Sequence, residues 1–159
     1  MRLMVVVLFL LLAGTAAAAP PLSGSARVLD GDTLEIAGQK VRLLGLDAPE
    51  GKQVCQRDGR PWRCGDAAAD ALRDIVAGRG VWCDVRGRDR WGRSLAVCRV
   101  GDTDLAREMV RRGMAVAYYP ERGVRGPSYG AEEVDAEAAQ RGLWSSAFIP
   151  PADWRKGMR

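Results

Sequence analysis

The sequence predicts an α+β, mainly β protein: a five-stranded barrel of the OB type with three attached helices. Three observations predict it. Three short β-patterned runs follow one another across tight-turn signals, two later runs can fold into a symmetric hairpin, and helical patterns stand between and after them. The chain of 159 residues is 47% hydrophobic and 28% charged, which suits one globular domain with a core of its own.

Residues 27–29, 34–37 and 41–46 read as strands, separated by the turn dipeptides Asp30-Gly31 and Ala37-Gly38. Leu43, Leu44 and Leu46 make the third run almost continuously apolar, as a strand in a closed sheet would be, and Pro49 ends it. Residues 51–65 are rich in Gly, Pro and charge and read as a loop. Asp66 is positioned to cap a helix to about Ala77 that buries Ala68, Leu72, Ile75 and Val76 and stops at Gly78. Residues 81–86 and 94–100 form the hairpin around Arg88-Asp89-Arg90-Trp91-Gly92. A helix over 104–112 follows with Leu105, Met109 and Val110 inward, then a last strand over 115–119. Ser128 is read as the cap of a final helix with Val134, Ala138 and Leu143 near one face and Gly142 as its stop.

The first nineteen residues stand apart. Arg2 precedes an apolar run over 3–12 and small residues over 13–19, the pattern of a cleaved export signal, while Thr15 stands where lipid attachment would need Cys. The organisation expected is therefore a signal peptide over 1–19, a domain over 20–149 and a C-terminal tail over 150–159, in a secreted or periplasmic protein with no stable membrane association after processing. The four cysteines, Cys55, Cys64, Cys83 and Cys98, then imply two disulfides rather than reactive thiols. A hairpin centred between Arg90 and Trp91 sets Cys83 opposite Cys98, which leaves Cys55 and Cys64 to tie the ends of the 51–65 loop.

The chain contains no His, which removes the commonest general base and a usual zinc ligand together. Ser-His-Asp and Cys-His hydrolases fall away, leaving carboxylates, Arg, Lys, Tyr and oxygen-bound metals. A net charge of +4 mildly favours polyanionic partners. The chemistry-bearing residues cluster around the three-strand meander: Asp30-Gly31-Asp32-Thr33, then Arg42, then Asp47-Ala48-Pro49-Glu50. In a barrel the first turn and the exit of the third strand can share a rim, so Asp32 and Asp47 could converge as hard oxygen ligands.

The blocks 28–33, 42–50 and 89–96, in this order, resemble those of the thermonuclease, or staphylococcal nuclease-like, family, and the resemblance extends over most of the chain after the leader. It implies an enzyme, a calcium-dependent nuclease that hydrolyses phosphodiester bonds of DNA or RNA by carboxylate-assisted attack of water. It also implies that Asp32, Asp47 and the carbonyl of Ala48 hold Ca2+, with Asp30 nearby. Arg42 and Arg93 would hold the scissile phosphate, and Glu50 would orient or deprotonate the water. Physically, two guanidinium forks and a divalent cation suit a phosphodiester that gains negative charge under attack, and a carboxylate replaces the missing His. Two positions depart from the family's namesake, Ala48 for Thr and Trp91 for Tyr; an aromatic at 91 suits either base stacking or core cover. Tyr118 and Tyr119 correspond only loosely to the family's base-contacting tyrosines. The alternative is a catalytically silent OB-type module that binds nucleic acid or protein, against which stands the complete set Asp32, Arg42, Asp47, Glu50 and Arg93. A monomer with a nucleic acid substrate is expected.

Overall fold

The computed structural model describes residues 21–119 and 123–158, so the export signal read over 1–19 lies outside the described residues. Five strands, β1 (Leu22–Val28), β2 (Thr33–Ile36), β3 (Gln39–Leu43), β4 (Gly80–Arg88) and β5 (Ser94–Val100), make the barrel. Around it lie α1 (Cys64–Val76), α2 (Leu105–Arg111), α3 (Gly130–Ala138) and a short α4 (Pro151–Arg155). Among the described residues no helix is long and apolar enough to cross a membrane.

Closure comes from two features of register. Strand β1 pairs with β2 through Ala26–Val28 and with β4 through Leu22–Ser25, so one strand serves two neighbours and the sheet curls. Strand β3 then pairs parallel with β5, Val41 opposite Ser94 and Leu43 opposite Ala96, which joins the two edges. A closed sheet has no edge left to aggregate. Inside lie Leu34, Ile36, Val41, Leu43, Val81 and Ala96, packed against Leu72 and Ile75 of α1 and Leu105 and Met109 of α2. Each such fully buried Leu or Ile contributes about 1.5–3 kcal/mol relative to exposure. The apolar faces read from the sequence for these two helices are the buried ones.

Several boundaries differ from the sequence reading, each for a local reason. The run over 41–46 is broken because Gly45 takes φ +88°, and Leu46–Asp47 forms a separate short pair with Val116–Ala117, all that is regular of the strand read over 115–119. A Cβ at Gly45 would lie 2.5 Å from the ring of the buried Tyr129 and 2.7 Å from the carbonyl of Pro127. The 51–65 loop contains a small hairpin, Cys55–Arg57 with Arg60–Trp62. Helix α1 starts at Cys64, so Asp66 lies within its first turn, paired with Arg63, instead of capping it. Helix α3 is capped at Tyr129 without a side-chain bond, because the Ser128 hydroxyl meets Tyr119 Oη. It ends at Ala138, leaving Val134 64% exposed, and buried Leu143 belongs to a separate 3-10 turn over Gly142–Ser145.

Both disulfides form as read. Cys55 and Cys64 bridge at a Cα separation of 5.7 Å, and Cys83 faces Cys98 across β4 and β5. The register slips by one residue between Val85 and Gly87, so the hairpin is symmetric at its disulfide end and bulged toward its turn. On the loop-entropy model each bridge contributes roughly 3 kcal/mol. Full reduction is expected to lower the thermal midpoint by roughly 10–20 °C, read by circular dichroism with and without reductant. An unchanged midpoint would show that the bridges add nothing to the fold.

Candidate active site

The turn from β1 into β2 builds the first wall. Asp30 Oδ1 accepts from the Asp32 backbone N–H at 3.0 Å, tightening the turn and directing the Asp32 side chain inward, where the residue is 4% exposed. Thr33 Oγ1 donates to Asp32 Oδ1 at 2.9 Å. The β2–β3 register sets Thr33 opposite Arg42, so the guanidinium reaches the same carboxylate, Nη1 donating to Asp32 Oδ2 at 2.7 Å. Its other arm, Nη2, donates to Asp47 Oδ1 at 2.8 Å. Asp47 is held on its own short strand opposite Val116 and is 1% exposed, and the Ala48 N–H completes the link by donating to Asp32 Oδ2 at 3.3 Å. The two predicted carboxylate ligands therefore converge through one arginine.

Their electrostatics follow from burial. Desolvation raises the Asp32 carboxyl to about 6, helped by the negative charges of Asp30 and Asp47 and opposed by Arg42 and the Thr33 hydroxyl. Burial also works against the Arg42 charge, but Asp32 and Asp47 outweigh it and hold the guanidinium above its ordinary range. Buried carboxylates this close together call for cations.

Arg93 arrives from the other side. Parallel pairing of Arg42 with Leu95 brings the foot of the β4–β5 hairpin beside the meander. Asp89 shapes the turn: its Oδ1 accepts from the backbone N–H groups of Trp91 and Arg93, and its Oδ2 accepts from Arg93 Nε at 2.7 Å. Burial works to raise the Asp89 carboxyl, but the Arg93 donors outweigh it and hold it below the usual range. Glu50 is placed by Gln53, a buried amide in the following turn. Gln53 Oε1 accepts from the Glu50 N–H at 3.2 Å, while its own N–H donates to the Glu50 carbonyl at 2.7 Å.

These parts surround one open cavity of about 610 Å³ lined by Asp32, Arg42, Ala48, Glu50 and Arg93, with Asp30 and Lys40 beside them. Asp47 lies just behind its wall, bonded to Arg42. Trp91, 68% exposed, also faces the cavity, with the Arg90 and Arg93 guanidinium carbons 4.4 and 5.4 Å from its ring centre. Tyr118 lines the cavity too, whereas Tyr119, 51% exposed, does not, its hydroxyl accepting from the Tyr129 N–H.

The last lining residue was not foreseen. Arg155, on α4 in the presumed tail, donates from Nη2 to Asp47 Oδ2 at 2.8 Å and from Nη1 to both Asp47 Oδ1 at 3.0 Å and Glu50 Oε1 at 2.8 Å. The bonds to Asp47 and Glu50 outweigh desolvation and hold this guanidinium well above its ordinary range. Gln53 was missed as well, because a lone Gln in a loop carries no pattern. Among the described residues no three acidic, His or Cys side chains form a metal cage. The oxygen donors here that suit a hard divalent cation are the Asp32 and Asp47 carboxylates, beside cavity-lining Ala48, with solvent access for water to fill the remaining positions.

Comparison with known sequences agrees with the motif reading. The family described as staphylococcal nuclease homologue matches residues 40–146. A Rhizobium meliloti protein named succinoglycan biosynthesis protein ExoI is 44% identical over 110 residues, 67% of this chain and 58% of that relative. An Escherichia coli O157:H7 protein named as an uncharacterized endonuclease is 36% identical over 135 residues, 81% of each chain. A Candida glabrata protein named probable endonuclease LCL3 is 32% identical over 126 residues, 73% of this chain and 48% of the relative.

Proposed function

The chain belongs to the staphylococcal nuclease homologue family, and on that footing we propose that it is a calcium-dependent nuclease hydrolysing phosphodiester bonds of DNA or RNA. The observation that carries this reading is the gathering around one cavity of Asp32, Arg42, Glu50 and Arg93 in its lining and Asp47 just behind its wall, from separate stretches of the sequence.

The work divides among the chain's own groups. Arg42 and Arg93 donate N–H bonds to the non-bridging oxygens of the scissile phosphate, whose charge grows as water attacks. Glu50, with its side chain 41% exposed at the cavity, orients that water and takes its proton. The water oxygen bonds to phosphorus, the ester P–O bond breaks, and the departing oxygen collects a proton from the solvent-open cavity. Asp32, Asp47 and the Ala48 carbonyl would hold calcium, which when bound supplies positive charge to the phosphate oxygens. Asp89 acts through Arg93 by fixing its approach. Trp91 suits stacking on a base, since its ring is exposed and flanked by cations. Export to an oxidising compartment fits the two disulfides and the apolar leader.

The deciding experiment is digestion of plasmid DNA and of RNA by oxidised protein, first with calcium and then with excess chelator. Cleavage that needs calcium is expected. Tight nucleic acid binding without cleavage at any calcium concentration would establish the silent binding module instead.

A further inference from the structure

Resting on the calcium reading, we infer that Arg155 is a positioning residue of the active site: a tethered cation that holds Asp47 and Glu50 in the cation-free protein and is displaced when a divalent cation binds. Two independent features make the C-terminal segment part of the site. Its guanidinium spans both carboxylates, meeting both oxygens of Asp47 and one of Glu50. Its entry is anchored by Gln53, itself 1% exposed, whose Nε2 donates to the Ile149 carbonyl at 2.7 Å while its Oε1 holds the Glu50 N–H. One buried amide thus fixes both the Glu50 turn and the chain just before α4, whose first residue, Pro151, is buried.

Competition follows from counting charge around Asp47. That carboxylate already accepts from two guanidinium groups, Arg42 and Arg155. A divalent cation ligated at about 2.3–2.6 Å would bring further positive charge against both, around a carboxylate that is itself only 1% exposed. Arg42 is the less able to yield, being on barrel strand β3 with a side chain 17% exposed. Arg155, 40% exposed on a five-residue helix outside the barrel, can swing into the cavity without disturbing a barrel strand. Its departure frees an Asp47 oxygen for the cation and a Glu50 oxygen for water in the same movement.

The test is calorimetric titration of calcium into the wild type, Arg155→Gln and Arg155→Lys, without nucleic acid. Arg155→Gln is expected to bind calcium roughly 10-fold more tightly, within the usual range of coupling between two ligands of one site. Arg155→Lys, which keeps the charge but loses the fork, is expected to fall between the two. In chelator, Arg155→Gln should melt below the wild type, and calcium should raise its midpoint by more. Unchanged or weaker calcium binding in Arg155→Gln would overturn the inference while leaving the calcium reading intact. No calcium binding by any of the three proteins would overturn both. If Arg155→Gln does not fold, the Lys variant decides in the same direction.

Discussion

Glu50→Gln is expected to lose about two to four orders of magnitude in turnover while keeping the fold, the range spanned by general acid-base catalysis. The substitution removes a charge and a proton acceptor but preserves side-chain size. The amide oxygen can still accept the Arg155 bond now made to Glu50 Oε1, and the backbone bonds to Gln53 do not involve the side chain at all. Binding of nucleic acid in the presence of calcium should therefore survive. The measurement is single-turnover cleavage of a defined duplex alongside binding of the same duplex by fluorescence anisotropy. A wild-type rate at saturating calcium would mean that the water is activated elsewhere, and Asp30, whose carboxylate also lines the cavity, would be the first alternative.

A second large effect is expected outside the cavity lining, at Gly65 in the first turn of α1. An added Cβ there would sit 1.9 Å from the Glu50 carbonyl oxygen and 2.9 Å from its carbonyl carbon, so backbone must move and no side chain can yield instead. Gly65→Ala is expected to cost about 1–3 kcal/mol of stability, as overpacking does. It should also lower turnover by about 100-fold, because a displacement near 1 Å is enough to spoil a catalytic geometry. Gly51→Ala is the control: it adds the same methyl beside Glu50, but nothing lies within 4 Å of it. That variant should stay within about 0.5 kcal/mol of the wild type. Denaturant unfolding and cleavage rates of the pair check this, and a fully active Gly65→Ala would show that α1 does not set the position of Glu50.

The sequence by itself determined much of the barrel, because its elements are marked by local chemistry. Asp-Gly and Ala-Gly turns separate the meander, a Cys pair marks the β4–β5 register, and the helices α1 and α2 carry their buried faces as 3.6-residue stripes. Through the resemblance of its motif blocks it also pointed to Asp32, Arg42, Asp47, Ala48, Glu50 and Arg93, which the fold gathers in or just behind the lining of one cavity. Helix α3 was read from the sequence but with the wrong face and end, because four of its nine residues are acidic and only Ala136 is buried, so Val134 gave a false stripe. Strand β1 was read too short because four of its seven positions are exposed, and pairing with two partners, not alternation, defines it. What only the tertiary structure decided is which charges meet. Arg155 lies 105 residues from Glu50 in the sequence and reaches it only because Gln53 ties the chain at Ile149 to the same turn. No local pattern encodes such a contact, since it depends on where closure of the barrel and packing of the last helix bring two distant backbones together.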